Sequence, residues 1–263
     1  MNAAALPAGS DEGRMTFMEH LIELRSRVIK SLIAVGIAAV VGWFLYPYVI
    51  DVLLGPYRKI ASRSLTQGQL LATGPAEGFA IRIKLTTYVA IALAMPVLLW
   101  QVWQFVSPGL YKHERRYALP FVFSAVVLFA SGAFIAYLTL PAALNWLSSI
   151  GGSEITQAYT ADKYFQLIAY MMLAFGVCFE FPILLLFLQM AGIVKNAQLR
   201  QFWRQTVVGI CIVVAVATPS NDPISMAALA VPLVIFFFGA IGLGWIGERR
   251  KGRSKSEAGA EQS

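Results

Sequence analysis

Charge is scarce in this chain. Only 13% of the residues are Asp, Glu, Lys or Arg and 58% are hydrophobic, against roughly 25% charged in an ordinary soluble domain. That balance excludes a water-soluble globular chain. Cysteine and histidine are nearly absent, two of each. Cys178 and Cys211 lie inside apolar runs without paired spacing, so they read as core or lipid-facing thiols and say nothing of the redox compartment. His20 and His113 are too few and too far apart to suggest a metal site. There is no Gly-Lys dipeptide, hence no P-loop, and no internal repeat of the kind inverted-repeat transporters carry. Gly242, Gly244 and Gly247 match the spacing of a dinucleotide fingerprint, but they close an apolar run with no strand before it, so the match is a coincidence of composition. No cofactor is expected, and no nucleophile and base stand together in the apolar segments.

What is present is a series of long uncharged runs: Ser31–Ile50, Leu85–Tyr111, Tyr117–Ser153, Tyr164–Val194 broken only by Glu180, Gln205–Asn221 and Pro223–Gly247. A helix needs about 20 apolar residues to cross a bilayer. Five of the runs reach that length. The fifth does not, because its apolar part stops at the turn-forming Thr218-Pro219-Ser220-Asn221-Asp222-Pro223. The expected fold is an all-α integral membrane protein of six transmembrane helices, with spans near 28–50, 82–106, 117–147, 163–190, 204–217 and 224–247. The fifth and sixth are expected to be short. Residues 1–14 and 249–263 read as disordered polar tails around a membrane domain at 15–248.

Orientation follows from the basic residues. With a cytoplasmic N-terminus, 15 of the 21 Lys and Arg residues fall inside, so the positive-inside rule puts both termini in the cytoplasm. Trp43, Tyr46 and Trp146 then lie near outer helix ends, and Trp100, Trp103, Trp203 and Trp245 near inner ones. The net charge of +7 is accounted for by topology and argues for no nucleic-acid partner. Pro96, Pro120, Pro141, Pro182 and Pro232 imply curved or kinked helices. No cleaved signal peptide is expected, since Asp11 and Glu12 precede a first run long enough to remain as a span.

Three carboxylates stand out. Glu180 sits within an apolar run, where an ionisable group costs roughly 2.5–3.5 kcal/mol on insertion scales; a hydrated cavity, a partner or protonation must offset it. Glu23, four residues before Arg27, reads on its own as a surface ion pair of an interfacial lead-in helix that starts at Thr16-x-x-Glu19. Glu114 reads on its own as a carboxylate near the positive end of the third helix.

Three segments change that reading. His20-Leu21-Ile22-Glu23-Leu24-Arg25-Ser26-Arg27, then Phe105-Val106-Ser107-Pro108-Gly109-Leu110 leading to Glu114-Arg115-Arg116, then Ala174-Phe175-Gly176-Val177-Cys178-Phe179-Glu180-Phe181-Pro182 resemble, in order, the TatC family, the multi-spanning subunit of the twin-arginine protein translocase. The likeness runs from about Phe17 to about Glu248. It implies a receptor for the twin-arginine signal peptides of folded cargo, in a pathway driven by the proton-motive force. It also implies TatA-like and TatB-like single-span partners, self-association and a bacterial inner membrane. By the same resemblance Glu23, Arg25 and Glu114 would bind the signal peptide, and Glu180 would face a concave, partly hydrated pocket. Asp222 would belong to the outer turn, although the family's acid commonly stands closer to the Thr-Pro. The rival reading is a proton-coupled secondary transporter of small solutes using Glu180, with a membrane-embedded enzyme more remote.

Overall fold

The computed structural model describes residues 17–60, 70–106, 118–150, 159–190, 192–220 and 222–260. Eight helices account for nearly all of them: α1 (Phe17–Ile60), α2 (Glu77–Val106), α3 (Ala118–Ile150), α4 (Ala161–Phe179), α5 (Phe181–Met190), α6 (Asn196–Gln201), α7 (Trp203–Ala217) and α8 (Pro223–Ala260). No strand forms among the described residues; a single parallel bridge joins Leu71 to Thr160. Five helical stretches are long and apolar enough to span a membrane, and α7 is shorter. At 15 residues and 1.5 Å per residue, α7 reaches only about 22 Å, short of a roughly 30 Å hydrocarbon core. That agrees with the 204–217 segment read from the sequence.

Two expectations need revision, one at each end of the chain. The sequence suggests an interfacial helix near Thr16, ahead of the first span; instead the helix from Phe17 is continuous with that span, in one element of 44 residues. Such a rod is about 66 Å long, twice the hydrocarbon thickness. The fourth span, expected over 163–190, is one apolar stretch from Ala161 to Gln189, with a break at Glu180 between α4 and α5 where the sequence places a kink. Pro182 accounts for it: it has no N–H for the carbonyl of Cys178, and its ring crowds that carbonyl. The Glu180 N–H turns back to Val177 O at 3.1 Å, a tightened last turn. At the other end of the chain, the α8 backbone stays helical to Ala260, past the span limit near 247 and into the stretch read as a tail.

The core lies between α3 and α4, with α2 and α8 against it. Phe175, Phe179, Tyr164, Met171, Leu140 and Phe237 are almost wholly enclosed. Two glycines set the α3–α4 distance. A Cβ on Gly132 would fall 2.6 Å from the Phe175 carbonyl oxygen and 2.8 Å from the Phe179 ring, and one on Gly176 would fall 2.5 Å from the Phe129 ring. Close backbone approach through small residues is the usual route to tight helix packing in lipid, where no hydrophobic force draws helices together.

Prolines 47 and 56 in α1 remove the N–H groups that would serve the carbonyls of Trp43 and Val52. Both carbonyls receive donors from other helices. The Arg82 guanidinium of α2 donates to Trp43 O at 3.3 Å, and the Tyr137 hydroxyl of α3 donates to Val52 O at 3.0 Å. A third donor, the hydroxyl of buried Tyr164 of α4, donates to Leu53 O at 2.7 Å and takes the Tyr57 N–H in return. The two carbonyls that the prolines of α1 leave without donors thus become points of attachment to its neighbours.

At the same end of the bundle the connections are tied together. Leu71 N–H donates to Tyr159 O (3.2 Å) and Ala161 N–H to Leu71 O (2.8 Å). The Glu77 carboxylate accepts from the Thr73 backbone, the Thr73 hydroxyl (2.9 Å) and the Asp162 backbone N–H (3.1 Å). Lys84 pairs with Asp162 at 2.6 Å.

Candidate functional site: the polar end of α1 and α2

His20, Glu23 and Arg27 stand at i, i+3 and i+7 on α1, and therefore on one face. Gln101, Gln104 and Phe105 make a matching stripe on the last turns of α2. The two antiparallel helices bring the stripes together. His20 stacks on Phe105 with ring centroids 4.4 Å apart and planes 23° apart. Arg27 donates to Glu23 Oε1 at 2.9 Å, to Gln101 Oε1 at 3.3 Å and to Gln104 Oε1.

The ion pair is partly buried, with the Arg27 and Glu23 side chains 21% and 17% exposed. This is more than the surface i,i+4 pair the sequence alone suggests, because α2 covers it. Glu23 Oε2 is buried and accepts no hydrogen bond from the described residues. One oxygen of the carboxylate is thus fixed, and the other remains a strong acceptor in a partly desolvated place, where a cationic donor is worth most. Arg25 lies on the exposed side of α1, with no carboxylate in ion-pair range among the described residues. Glu114 lies outside the described residues, as do His113 and Thr16; the chain enters that segment directly after Val106, within a turn of Gln104.

Sequence reasoning passed over Gln101 and Gln104. Their signal was available: two amides three residues apart at the end of an apolar run, where each needs a polar neighbour.

The other two candidate residues lie apart from this end. Glu180 is half-buried, and neither carboxylate oxygen has a donor among the described residues. It stands four residues after Gly176 and seven after Leu173. Leu173 lines an apolar cavity of about 310 Å³ with Tyr48, Leu85, Tyr88, Phe129 and Met172. Glu180 is not part of that lining, and the cavity wall is almost wholly apolar. Asp222 is fully buried. Its Oδ1 accepts the Ser225 N–H at 2.7 Å and its Oδ2 accepts the Ser220 hydroxyl, so it caps the first turn of α8.

Comparison with known proteins agrees with this architecture. The family model described as Sec-independent protein translocase protein (TatC) matches residues 19–232. A TatC protein of Frankia casuarinae is 39% identical over 251 residues, covering 92% of this chain and 69% of its own length. One from Xylanimonas cellulosilytica is 35% identical, covering 98% of this chain and 94% of its own. A crystal structure of the twin-arginine translocase receptor TatC in DDM superposes with a TM-score of 0.74 at 34% identity, over 86% of this chain and 99% of that one. With the fold, the run of apolar helices and the sequence all in accord over most of its length, the chain belongs to the TatC family, multi-pass membrane components of the Sec-independent protein translocase.

Proposed function

We propose that this protein is the receptor subunit of a twin-arginine translocase in a bacterial inner membrane, with both termini in the cytoplasm. In that role it binds the paired arginines of signal peptides on folded cargo at the polar end of α1 and α2. The observation that carries the reading is Glu23: a carboxylate held in place by Arg27, with a second, buried oxygen that takes no donor from the described residues. A guanidinium fork suits such an acceptor better than a lysine ammonium, which offers a point charge without the planar pair of donors. Glu114, close in sequence to the end of α2, supplies the second carboxylate, and exposed Arg25 helps to keep the surrounding surface basic. The solved relative is itself a twin-arginine translocase receptor, which supports the same assignment.

Glu180 is proposed as a polar point met by the inserted part of the signal peptide or by a partner helix after recognition. TatA-like and TatB-like single-span proteins and further copies of this chain are the proposed partners, with the proton-motive force as the energy source. Membership of a translocase family sets aside the small-solute transporter.

The test is peptide binding to the detergent-solubilised protein. A charge-assisted contact contributes about 1.5–3 kcal/mol, so Glu23→Gln or Glu114→Gln is expected to weaken an Arg-Arg peptide about ten- to a hundredfold. Equal binding of Arg-Arg and Lys-Lys peptides, or full binding by Glu114→Gln, refutes the reading.

A further inference from the structure

At the end of α2 opposite the Glu23 cluster, Arg82, Lys59 and Lys163 have no carboxylate in ion-pair range among the described residues, and of the three only Arg82 is partly buried, the two lysines being exposed. Arg58 pairs with Asp51 at 2.9 Å and Lys84 with Asp162 at 2.6 Å, whereas no described carboxylate lies within ion-pair range of Arg82. Its guanidinium is nonetheless fixed. It stacks 4.1 Å from the Trp43 ring centroid and 5.0 Å from that of Tyr46, and donates to Trp43 O. Its Nε has no acceptor among the described residues. A guanidinium clamped by two rings and a carbonyl is preorganised for a phosphate, and little conformational freedom remains to be lost on binding.

Beside it runs a groove of about 480 Å³ between α1 and α2, walled by Val40, Trp43, Phe44, Ile83, Thr86 and Thr87. Except for the two threonines the wall is apolar, and it faces outward from the bundle. Thr86 lies four residues, about 6 Å, deeper along α2 than Arg82, and its buried hydroxyl has no partner among the described residues. A cation at the aromatic belt, a hydroxyl donor one turn deeper and an apolar channel below follow the order of a glycerophospholipid: phosphate, ester carbonyl, acyl chain.

We propose that this groove binds one anionic phospholipid of the leaflet opposite the Glu23 cluster, with its phosphate on Arg82 and one acyl chain along Val40, Phe44 and Ile83. The unneutralised charge selects the occupant, because a bare single-span helix fills the groove without answering Arg82. The bound lipid would fasten the outer halves of α1 and α2 together beside Pro47.

Native mass spectrometry of the full chain, released from detergent with phosphatidylglycerol or phosphatidylcholine of identical chains, tests this. The wild type should retain phosphatidylglycerol about tenfold better than phosphatidylcholine. Arg82→Gln should abolish the preference, Arg82→Lys should keep part of it, and Arg58→Gln should leave it unchanged. Val40→Trp, which fills the groove without altering charge, should lose the lipid and serves if Arg82→Gln does not fold. Equal retention of the two lipids by the wild type overturns the proposal, as does undiminished retention by Arg82→Gln or by Val40→Trp. Full-yield cross-linking of Val40→Cys to another protein chain in native membranes also overturns it, by showing a different occupant.

Discussion

If Tyr137 exists to serve the carbonyl that Pro56 leaves without a donor, the two residues must be energetically coupled. In the wild type the Tyr137 hydroxyl donates to Val52 O at 3.0 Å. Tyr137→Phe removes that donor. A low-dielectric carbonyl stripped of its donor costs about 1–3 kcal/mol in general, and interhelical hydrogen bonds in membranes average nearer about 0.6 kcal/mol with a maximum of about 1.7. A loss of about 1 kcal/mol is therefore expected. In a Pro56→Ala background residue 56 regains its N–H and can serve Val52 O from within α1, so the same Tyr137→Phe change should cost close to nothing. The difference between the two costs, about 1 kcal/mol, is the coupling energy. Titration of the four proteins with SDS in mixed micelles, followed by tryptophan fluorescence, measures it. Gly55→Ala supplies an independent check: a Cβ there collides with the Tyr137 hydroxyl, so it should reproduce the loss. Identical costs of Tyr137→Phe in both backgrounds, within about 0.3 kcal/mol, would refute the reasoning.

Other outcomes follow from the same structure. Gly132→Ala should destabilise by about 1–3 kcal/mol, because the Phe175 backbone cannot yield to a new methyl. Gly36→Ala, with open space around it, should instead stabilise by about 0.5–1 kcal/mol; the same SDS titration compares them, and a harmless Gly132→Ala would contradict the packing account. Asp222→Ala should cost about 0.5–2 kcal/mol of cap stability, while Asp222→Asn retains most of it. Hydrogen exchange at the start of α8 is the readout. Glu77→Ala leaves the Thr73 and Asp162 N–H groups without their acceptor, so exchange over residues 70–76 should accelerate about tenfold. Unchanged protection there would mean the connections hold without it.

Much of this architecture is written in the spacing of charges. The run lengths locate α3 and α7 within a few residues, whereas α1 and α8 run on well past their apolar stretches, and the shortness of α7 follows from where Thr218-Pro219 falls. Other features needed the third dimension. Pro182 announces a break, but only the assembled chain shows Glu180 occupying it with both oxygens unmet by the described residues. Pro56 announces a carbonyl without a donor, yet the donor comes from far along the chain, at Tyr137. At the candidate site, Glu23 and Arg27 are legible as neighbours on one helix turn. Their enclosure by Gln101 and Gln104 depends on the α1–α2 register, which rests on packing of small and aromatic side chains that no local pattern encodes.

The continuous length of α1 makes it a lever. Between Glu23 and Pro47 it contains no proline, about 36 Å of uninterrupted helix. Its end remote from Glu23 is held at Trp43, Val52 and Leu53 by side chains of three other helices. A tilt of about 5° around that end would sweep the Glu23 end through about 3 Å, roughly one hydrogen-bond length. A displacement at Glu23 would thus be felt at the carbonyls of Trp43, Val52 and Leu53, with the helix itself as the connecting arm.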